Sequence, residues 1–352
     1  GMHDIPEGLL LGVPTDLARL ARSRLISRRG QLRAAIEPLL RRTDLGADSI
    51  GDYVRARFGD EVHERLVDPL IGSIYAADTD EFSLAAIPQL AELASTSRSM
   101  LLGARRRPSA TPGPIFYAPL GGMGTFVDAI ARSLANGGAT LRCDAPVHEV
   151  ASDRNSWRVD GEPFDAVVLA CPARVAAALL KPVDAAAAAT LTTIPTAGVA
   201  LVTLAVPRHG WPSSLEHLSG YLVPKPQQRL VTAVSFGSQK WAHWAAADHV
   251  VLRASLGRDG LAALHLDDHQ LLAEVLTELE ARLGIAAQPT GVRISRWADA
   301  FPQYRPHHGS KVADAEQRLP HGIALAGASY HGIGIPACVR SGQQAVATLM
   351  SQ

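Results

Sequence analysis

The clearest hydrophobic pattern lies at the C-terminal end of the sequence. A short, unbroken apolar run at 323–328 predicts a strand that is covered on both faces. Gly332, Gly334 and Pro336 then interrupt the run, and helical spacing begins at about Ala337. The free N–H groups at the start of that helix would favour an anion, or a ring that becomes anionic on reduction. An ordinary strand–helix connection with a glycine turn would show the same local pattern.

Helical spacing dominates the first third of the chain, after a loop-like stretch at its start. Asp48 or Ser49 is placed to cap a helix that ends at Gly59. Further helices are predicted over 61–74 and 85–102. Apolar stripes of this kind are more typical of a packed core than of a cofactor site.

The pattern changes to short strands after residue 115. A helix over 125–134 is predicted first, with Thr125 as its N-cap, and short strands follow it at 140–143, 146–151 and 157–159. A buried strand at 164–170 then leads through Pro172 into a helix that reaches Leu180. This second strand–turn–helix resembles the C-terminal one, so both are expected in one layered α/β domain.

The stretch from 195 to 300 predicts a mixed β-sheet with one covered face. Its strands are expected at 198–206, 220–223, 230–236, 250–255 and 291–297. A strongly patterned helix over 267–283 ends at Gly284, which suits a left-handed C-terminal cap.

Composition and charge exclude several classes of function. The 352 residues are 47% hydrophobic, which is ample for a core and favours more than one domain. Lys and Arg together number 34, as do Asp and Glu, so net charge gives no argument for a nucleic-acid partner. Three scattered cysteines suggest reduced thiols and no metal site, and no apolar run is long enough to span a bilayer. We therefore expect a cytoplasmic protein, with peripheral membrane association left open.

Several longer motifs carry a resemblance to a known family. GDEVHERLVDPLIGSIYA begins at Gly59, ISRWADAFPQY begins at Ile294 and GIGIPACV begins at Gly332. In this order along the chain, they resemble the flavin-dependent porphyrinogen oxidases of haem synthesis: protoporphyrinogen oxidase and coproporphyrinogen III oxidase. The stretch DPLIGSIYAADTDEFSL is the most family-specific part, whereas the glycine turns are shared with the wider amine-oxidase group.

The resemblance implies an α/β (α+β) fold with three parts. These are a helical subdomain at 1–114, the remnant of an FAD-binding Rossmann-like domain at 115–185 and 301–352, and a mixed-sheet substrate domain at 186–300. It also implies that FAD is the cofactor, that a porphyrinogen is the substrate and that dioxygen is the acceptor. A homodimer is a further expectation, because an unpaired sheet edge favours association.

Cofactor contacts are implied only where this sequence matches the family's motifs. Val147 resembles the residue whose backbone meets the adenine, although a plain core valine would look the same. Trp297 resembles the tryptophan beside the cofactor, and it would also suit a packed strand. The loop under the flavin's pyrimidine edge corresponds to Gly332, Ile333, Gly334 and Ile335. No catalytic base is assigned; His331 is the histidine next to this loop, and Arg253, Arg296 and Arg305 are candidates for substrate carboxylates.

One departure from the family affects the expected activity. Relatives begin with a strand–GxGxxG–helix unit that holds the ADP half of FAD, and this sequence lacks that motif. We therefore expect weak FAD binding by this chain alone, as for a fragment, a truncated product or half of a split protein. Two other functions stay open, namely a non-catalytic porphyrin- or protein-binding module and a different flavoenzyme of the amine-oxidase group.

Overall fold

A computed structural model describes residues 2–43, 49–106, 117–154, 156–286 and 288–351. Its helices are α1 (Leu17–Arg22), α2 (Arg28–Ala35), α3 (Ile50–Phe58), α4 (Asp60–Val62), α5 (Asp68–Tyr75), α6 (Pro88–Thr96), α7 (Met100–Arg106), α8 (Met123–Asn136), α9 (Ala173–Leu180), α10 (Ala185–Thr192), α11 (Gly237–Lys240), α12 (Asp268–Leu283), α13 (His308–Arg318) and α14 (Ile335–Ser351). Its strands are β1 (Leu9–Leu10), β2 (Val13–Pro14), β3 (Val150–Asp153), β4 (Ser156–Val159), β5 (Glu162–Phe164), β6 (Val167–Leu169), β7 (Thr196–Pro207), β8 (Gly220–Leu222), β9 (Val231–Ser235), β10 (His249–Leu256), β11 (Gly291–Pro302) and β12 (Ile323–Leu325). The predicted α/β class is confirmed.

The N-terminal helices pack around a shared hydrophobic core. Helix α3 begins where the sequence predicts, because the Ser49 hydroxyl accepts a hydrogen bond of 3.0 Å from Asp52 N. It ends at Gly59, whose φ of 89° favours glycine. Asp48, the other predicted cap, lies outside the described residues. A π-helical segment, His63–Val67, joins α4 to α5 in the stretch predicted as one helix.

The single helix predicted over 85–102 is wrong, because two helices, α6 and α7, occupy this stretch. Ser97 is extended, with φ −118° and ψ 134°, and it ends α6. The Glu37 carboxylate then accepts a hydrogen bond of 2.9 Å from Met100 N in the first turn of α7. A distant carboxylate at this N-terminus therefore starts a second helix where the local pattern looks continuous.

The same Glu37 forms a fully buried ion pair with Arg57. Both side chains have zero exposure, and Arg57 Nε donates to Glu37 Oε1 at 2.8 Å. The guanidinium also donates to the backbone oxygens of Arg41 (2.7 Å) and Arg98 (2.8 Å). Because the charges are paired and hydrogen-bonded, the core tolerates them, and each would be costly without the other.

The five-stranded sheet has the order β11-β7-β10-β9-β8. All of these pairings are antiparallel, so the predicted mixed strand directions are wrong. The sequence does not reveal this, because residue alternation does not encode strand direction. One face packs against α12, which Asp267 caps. The helix ends at Gly284, whose φ is 69°, as predicted. The other face is only partly covered.

The C-terminal strand β12 pairs in parallel with β6, and α9, α10 and α13 share the core around them. A separate antiparallel sheet contains β3, β4 and β5. Two predicted strands are wrong, because 140–143 forms none and the strand predicted over 146–151 begins only at Val150. The Asp160 carboxylate accepts hydrogen bonds from His148 N (3.0 Å) and Glu149 N (2.8 Å). These amides are therefore satisfied without a strand partner.

Helix α8 turns an apolar stripe to the surface. It is described throughout, and none of its residues is buried. Phe126, Val127 and Ile130 lie on this stripe. Thr125 is not the cap that the sequence predicts, because the helix begins earlier, after Gly122, whose φ is 87°. Among the described residues, no helix is both long and apolar enough to cross a membrane.

The buried ion pair gives a direct test of the helical core. We expect Glu37→Gln to lower the free energy of unfolding by about 3–5 kcal/mol, because it leaves the Arg57 charge buried without its counter-ion. Urea unfolding, followed by circular dichroism, measures the change.

The matched control is Glu162→Gln, which breaks the exposed pair between Arg142 and Glu162. That variant should unfold almost as the unmodified chain does, since solvent screens the pair. Equal effects of the two substitutions would show that burial of the Glu37 pair does not matter.

Candidate functional site

Two strand-to-helix turns lie side by side at the carboxyl edge of the parallel strands. Strand β6 leads into α9, and β12 leads through the glycine loop into α14. The turns are joined by a hydrogen bond of 3.1 Å from Ala173 N to the Ser329 hydroxyl. The carboxyl edge of parallel strands is where nucleotide-type ligands bind in folds of this kind.

The glycine loop, residues 332–335, adopts a backbone that other residue types disfavour. The φ angles of Gly332 and Gly334 are 119° and 114°. A Cβ on Gly332 would lie 3.0 Å from Ala337 Cβ, so glycine also allows the close approach of loop and helix. Helix α14 starts at Ile335, two residues before the predicted start, because Cys338 N already donates to Gly334 O at 3.0 Å.

Tyr304 fixes the shape of this loop from a distant part of the chain. Its hydroxyl accepts a hydrogen bond of 2.7 Å from Gly332 N and donates one of 2.8 Å to Ala328 O. Its ring is 6% exposed and lies nearly parallel to His308, with 3.7 Å between the ring centroids. Burial raises the pKa of Tyr304 to about 12. The hydroxyl therefore stays protonated and keeps both hydrogen bonds.

The histidines around the loop have assigned partners. The ring of His308 contacts Tyr330 O through Nε2 at 3.2 Å, and burial lowers the pKa of His308 to about 4. His331 lies 2.7 Å from the Glu316 carboxylate, which raises the pKa of His331. Glu316 thus holds the ring of His331 next to the loop, and no catalytic base is assigned.

The other residues predicted for the cofactor site lie in different surroundings. Trp297 lies on β11 opposite Val199 and is 54% exposed. Val147 is 44% exposed and lies before β3, outside any strand. Ile333 packs against the core of the N-terminal helices, whereas Ile335 opens α14 and is half-exposed. The loop residues are contiguous, and the cofactor contacts of Val147 and Trp297 stay predictions.

The structure separates the three candidate arginines, Arg253, Arg296 and Arg305. Arg296 pairs with the Asp268 carboxylate and donates to Leu266 O at 2.8 Å. Arg305 pairs with Asp259 at 2.8 Å. Arg253 lies over the ring of Trp244, with its guanidinium carbon 5.1 Å from the ring centroid. Two of the three thus already have carboxylate partners.

A buried polar chain joins the helical core to the five-stranded sheet. Arg258 Nη1 donates to Asp68 Oδ2 at 2.9 Å, and the Thr79 hydroxyl donates to Asp68 Oδ1 at 2.6 Å. His63 Nε2 lies 2.8 Å from the same hydroxyl, and burial lowers the pKa of His63 to about 4. Sequence reasoning did not identify these residues individually, although Asp68 and Thr79 lie in the family-specific stretch.

The glycine loop has the properties that a flavin ring would require. No described atom would lie within 4 Å of a Cβ on Gly334, so that side of the loop is open. The first amides of α14 face the loop, where the helix dipole favours negative charge. The residues present therefore fit a planar ring that becomes anionic on reduction.

Comparisons with known proteins identify the family of this chain. Residues 4–350 match the family model described as flavin containing amine oxidoreductase. The chain is 32% identical to a coproporphyrinogen III oxidase of Mycobacterium tuberculosis (strain ATCC 25618 / H37Rv), over 99% of this chain and 76% of the relative. It is 28% identical to the coproporphyrinogen III oxidase of Bacillus subtilis (strain 168), over 99% of this chain and 77% of the relative.

A solved structure shows the same architecture. It is a protein of Exiguobacterium sp. 255-15 that is assigned as a protoporphyrinogen oxidase, with 29% sequence identity and a TM-score of 0.83. The superposition covers 100% of this chain and 79% of that chain. The relatives are thus longer than the matched region by roughly a fifth to a quarter of their own length.

The hydroxyl of Tyr304 gives the first test of this site. We expect Tyr304→Phe to keep the ring packing but to free Gly332 N and Ala328 O, so that the loop opens more easily. Hydrogen exchange measured by mass spectrometry should be faster in peptides covering 328–335 than in the unmodified chain. Tyr117→Phe, at an exposed tyrosine, is the control and should leave the exchange unchanged. Unchanged exchange in Tyr304→Phe would contradict the bracing role.

The pH dependence of stability gives the second test. His308 is neutral in the folded chain, with a pKa of about 4, whereas its ordinary value is 6.5. The unfolded chain therefore binds more protons between these values, and stability is lost as the pH falls from about 6.5 towards 4. His308 contributes at most about 3 kcal/mol to this loss of folding stability.

His308→Phe removes the contribution of His308 to the pH dependence of stability, and it retains an aromatic ring against Tyr304. Urea titrations at several pH values should show a shallower loss of stability in the variant. His63 titrates in the same window, so the loss should shrink without disappearing. A loss as steep as in the unmodified chain would contradict the assigned protonation of His308.

Proposed function

The chain belongs to the family of flavin-containing amine oxidoreductases, and from that premise we propose that it oxidises a porphyrinogen to the porphyrin in haem synthesis. The substrate is coproporphyrinogen III or protoporphyrinogen IX, FAD is the flavin and dioxygen is the final acceptor. The observation that carries the proposal is the glycine loop, held by Tyr304 at the carboxyl edge of the parallel strands. The substrates in the names of the relatives support the choice of a porphyrinogen.

The protein's contribution to this chemistry is placement and electrostatics. The loop of Gly332, Ile333, Gly334 and Ile335 would hold the pyrimidine edge of the ring, and the start of α14 would stabilise negative charge there. A bound flavin would supply the electron acceptor that protein side chains lack. The overall conversion removes six electrons and six protons from the macrocycle, and three molecules of dioxygen become three of hydrogen peroxide. Repeated two-electron turns are therefore required.

Each region expected from the sequence is given its own role in the proposed reaction. We assign 115–185 and 301–352 to the flavin side, 186–300 to the substrate side and 1–114 to the helical support. Val147 would meet the adenine, and Trp297 would lie beside the cofactor. The ADP half of FAD needs a pyrophosphate-binding turn. We place that turn in the part of the relatives that lies outside the matched region.

Reconstitution with FAD tests the proposal. The chain is prepared alone and fused to the unmatched segment of the Bacillus subtilis relative, then incubated with FAD and freed of unbound cofactor. We expect flavin absorbance to be stronger in the fusion, which should convert coproporphyrinogen III or protoporphyrinogen IX to fluorescent porphyrin with uptake of dioxygen. A flavin-loaded fusion that oxidises neither substrate would overturn the proposed activity.

Two glycine variants supply matched controls for the loop. Gly334→Ala forces a side chain into a φ of 114° and should reduce flavin retention about tenfold or more, because the loop must deform. Gly342→Ala, at an uncrowded position within α14, should retain flavin normally and gain up to about 1 kcal/mol of stability. Equal retention by the two variants would exclude the glycine loop as the flavin site.

A further inference from the structure

The partly open face of the five-stranded sheet carries cations and an exposed aromatic ring. Arg253 on β10 lies opposite Thr203 on β7 and Ser235 on β9, so its side chain shares a face with theirs. Arg293 on β11 also lies opposite Thr203, and Trp297 follows four residues later on the same face. The residues that alternate with Arg253, Leu252 and Ala254, are buried against the α12 side. This sheet therefore separates an apolar core from a partly apolar surface that carries two arginines.

Arg253 has no counter-ion among the described residues, unlike Arg296 and Arg305 near the same sheet. Arg296 pairs with Asp268 and Arg305 pairs with Asp259. Arg253 is nonetheless half-buried, and burial lowers its pKa. A desolvated guanidinium without a carboxylate has unused capacity for an anionic ligand.

Hydrogen bonds and close packing fix the side chains around Arg253. The Ser238 hydroxyl accepts a hydrogen bond of 2.8 Å from Val251 N on β10 and donates one of 2.8 Å to Trp244 O. A Cβ on Gly237 would fall 1.9 Å from the Trp244 ring, so only glycine allows this approach. The indole is thereby fixed against the sheet, and it supports the guanidinium from one side.

A second cation, Lys240, is the last residue of α11, the short helix that also contains Gly237 and Ser238. Partial desolvation lowers the pKa of Lys240, and the charge of Arg253 lowers it further. The hydrogen bond from Val251 N to Ser238 holds α11 against β10, the strand that carries Arg253. No carboxylate among the described residues is paired with either cation. An anion placed between them would be attracted by both charges.

We propose that Arg253 and Lys240 bind a carboxylate of the substrate on the open face of the sheet. The ligand class is a flat, largely apolar molecule that carries flexible carboxylates at its rim. The guanidinium of Arg253 donates two parallel hydrogen bonds to one carboxylate, and Lys240 contributes a point charge beside it. This inference rests on the proposed function, because it assigns the recognition of the porphyrinogen side chains to named residues.

Direct binding measurements test the assignment without turnover. The probes are coproporphyrin III, whose four propionates are ionised, and its tetramethyl ester, which has the same ring without charge. Each is titrated into the full chain in dilute detergent, and porphyrin fluorescence reports the Kd. Arg253→Gln should weaken coproporphyrin binding about tenfold or more, the loss expected for one charge-assisted interaction. Binding of the ester should be unchanged by that substitution.

Three further variants make the result specific. Arg296→Gln is the matched control, because it removes an arginine that already has a carboxylate partner, and its Kd should stay within about twofold. Arg253→Lys retains the charge and should bind more tightly than Arg253→Gln. Lys240→Gln changes an exposed side chain and should weaken binding by a smaller factor without risk to folding.

Defined outcomes would overturn the assignment. Coproporphyrin binding that is as tight in both Arg253→Gln and Lys240→Gln as in the unmodified chain would exclude this carboxylate site. Equal weakening by Arg296→Gln, or no binding of coproporphyrin by the unmodified chain, would do the same. The proposed oxidation is judged separately by porphyrin formation in the flavin-loaded fusion, so either idea can fail alone.

Discussion

The hydroxyl of Tyr304 is the contact on which the site's geometry depends. The hydroxyl connects the end of the buried strand at Ala328 with the glycine loop at Gly332. The backbone oxygen of Tyr304 accepts a hydrogen bond of 2.7 Å from Ser83 N in the helical core. Phe82 and His308 lie along its ring, so the hydroxyl cannot easily turn away. One side chain thus joins the strand, the loop and the helical core. Glycine residues alone would leave this loop conformationally free, and the tyrosine restricts it.

The second constraint is the set of charges between the helical core and the sheet. Asp68 binds Arg258 in a region without solvent, and Lys225 donates to Asp78 and Asp80 at 2.6 Å each near the surface. Breaking a buried pair is far more costly than breaking an exposed one, so Asp68 fixes the relative position of the two parts. The sheet, through Arg258, and the glycine loop, through Tyr304, are therefore both bonded to the same helical core.

The sequence predicts elements well where the signal is local. Ser49 and Gly284 mark helix ends through a local hydrogen bond or a φ value, and the structure confirms them. Predictions fail where a distant group decides, as when Glu37 reaches Met100 and starts a new helix.

The same contrast applies to the candidate site. The glycine loop is visible as a pattern, but the Tyr304 contact spans 28 residues and leaves no local trace. Strand direction in the sheet depends on neighbours that a single sequence does not identify. The same holds for the lack of a carboxylate partner for Arg253 among the described residues. The cofactor roles of Val147, Trp297 and the glycine loop, and the domain boundaries, stay predictions.

The apolar stripe of α8 affects how molecules of this protein associate in concentrated solution. Phe126, Val127 and Ile130 face outwards together with Val339 and Val346 of α14, while the formal net charge of the chain is zero. Without net charge, electrostatic repulsion between molecules is weak, and exposed apolar surface attracts them. Colloidal behaviour in concentrated solution, including its response to mild detergent and to pH, is therefore governed by these two helices more than by the folded core.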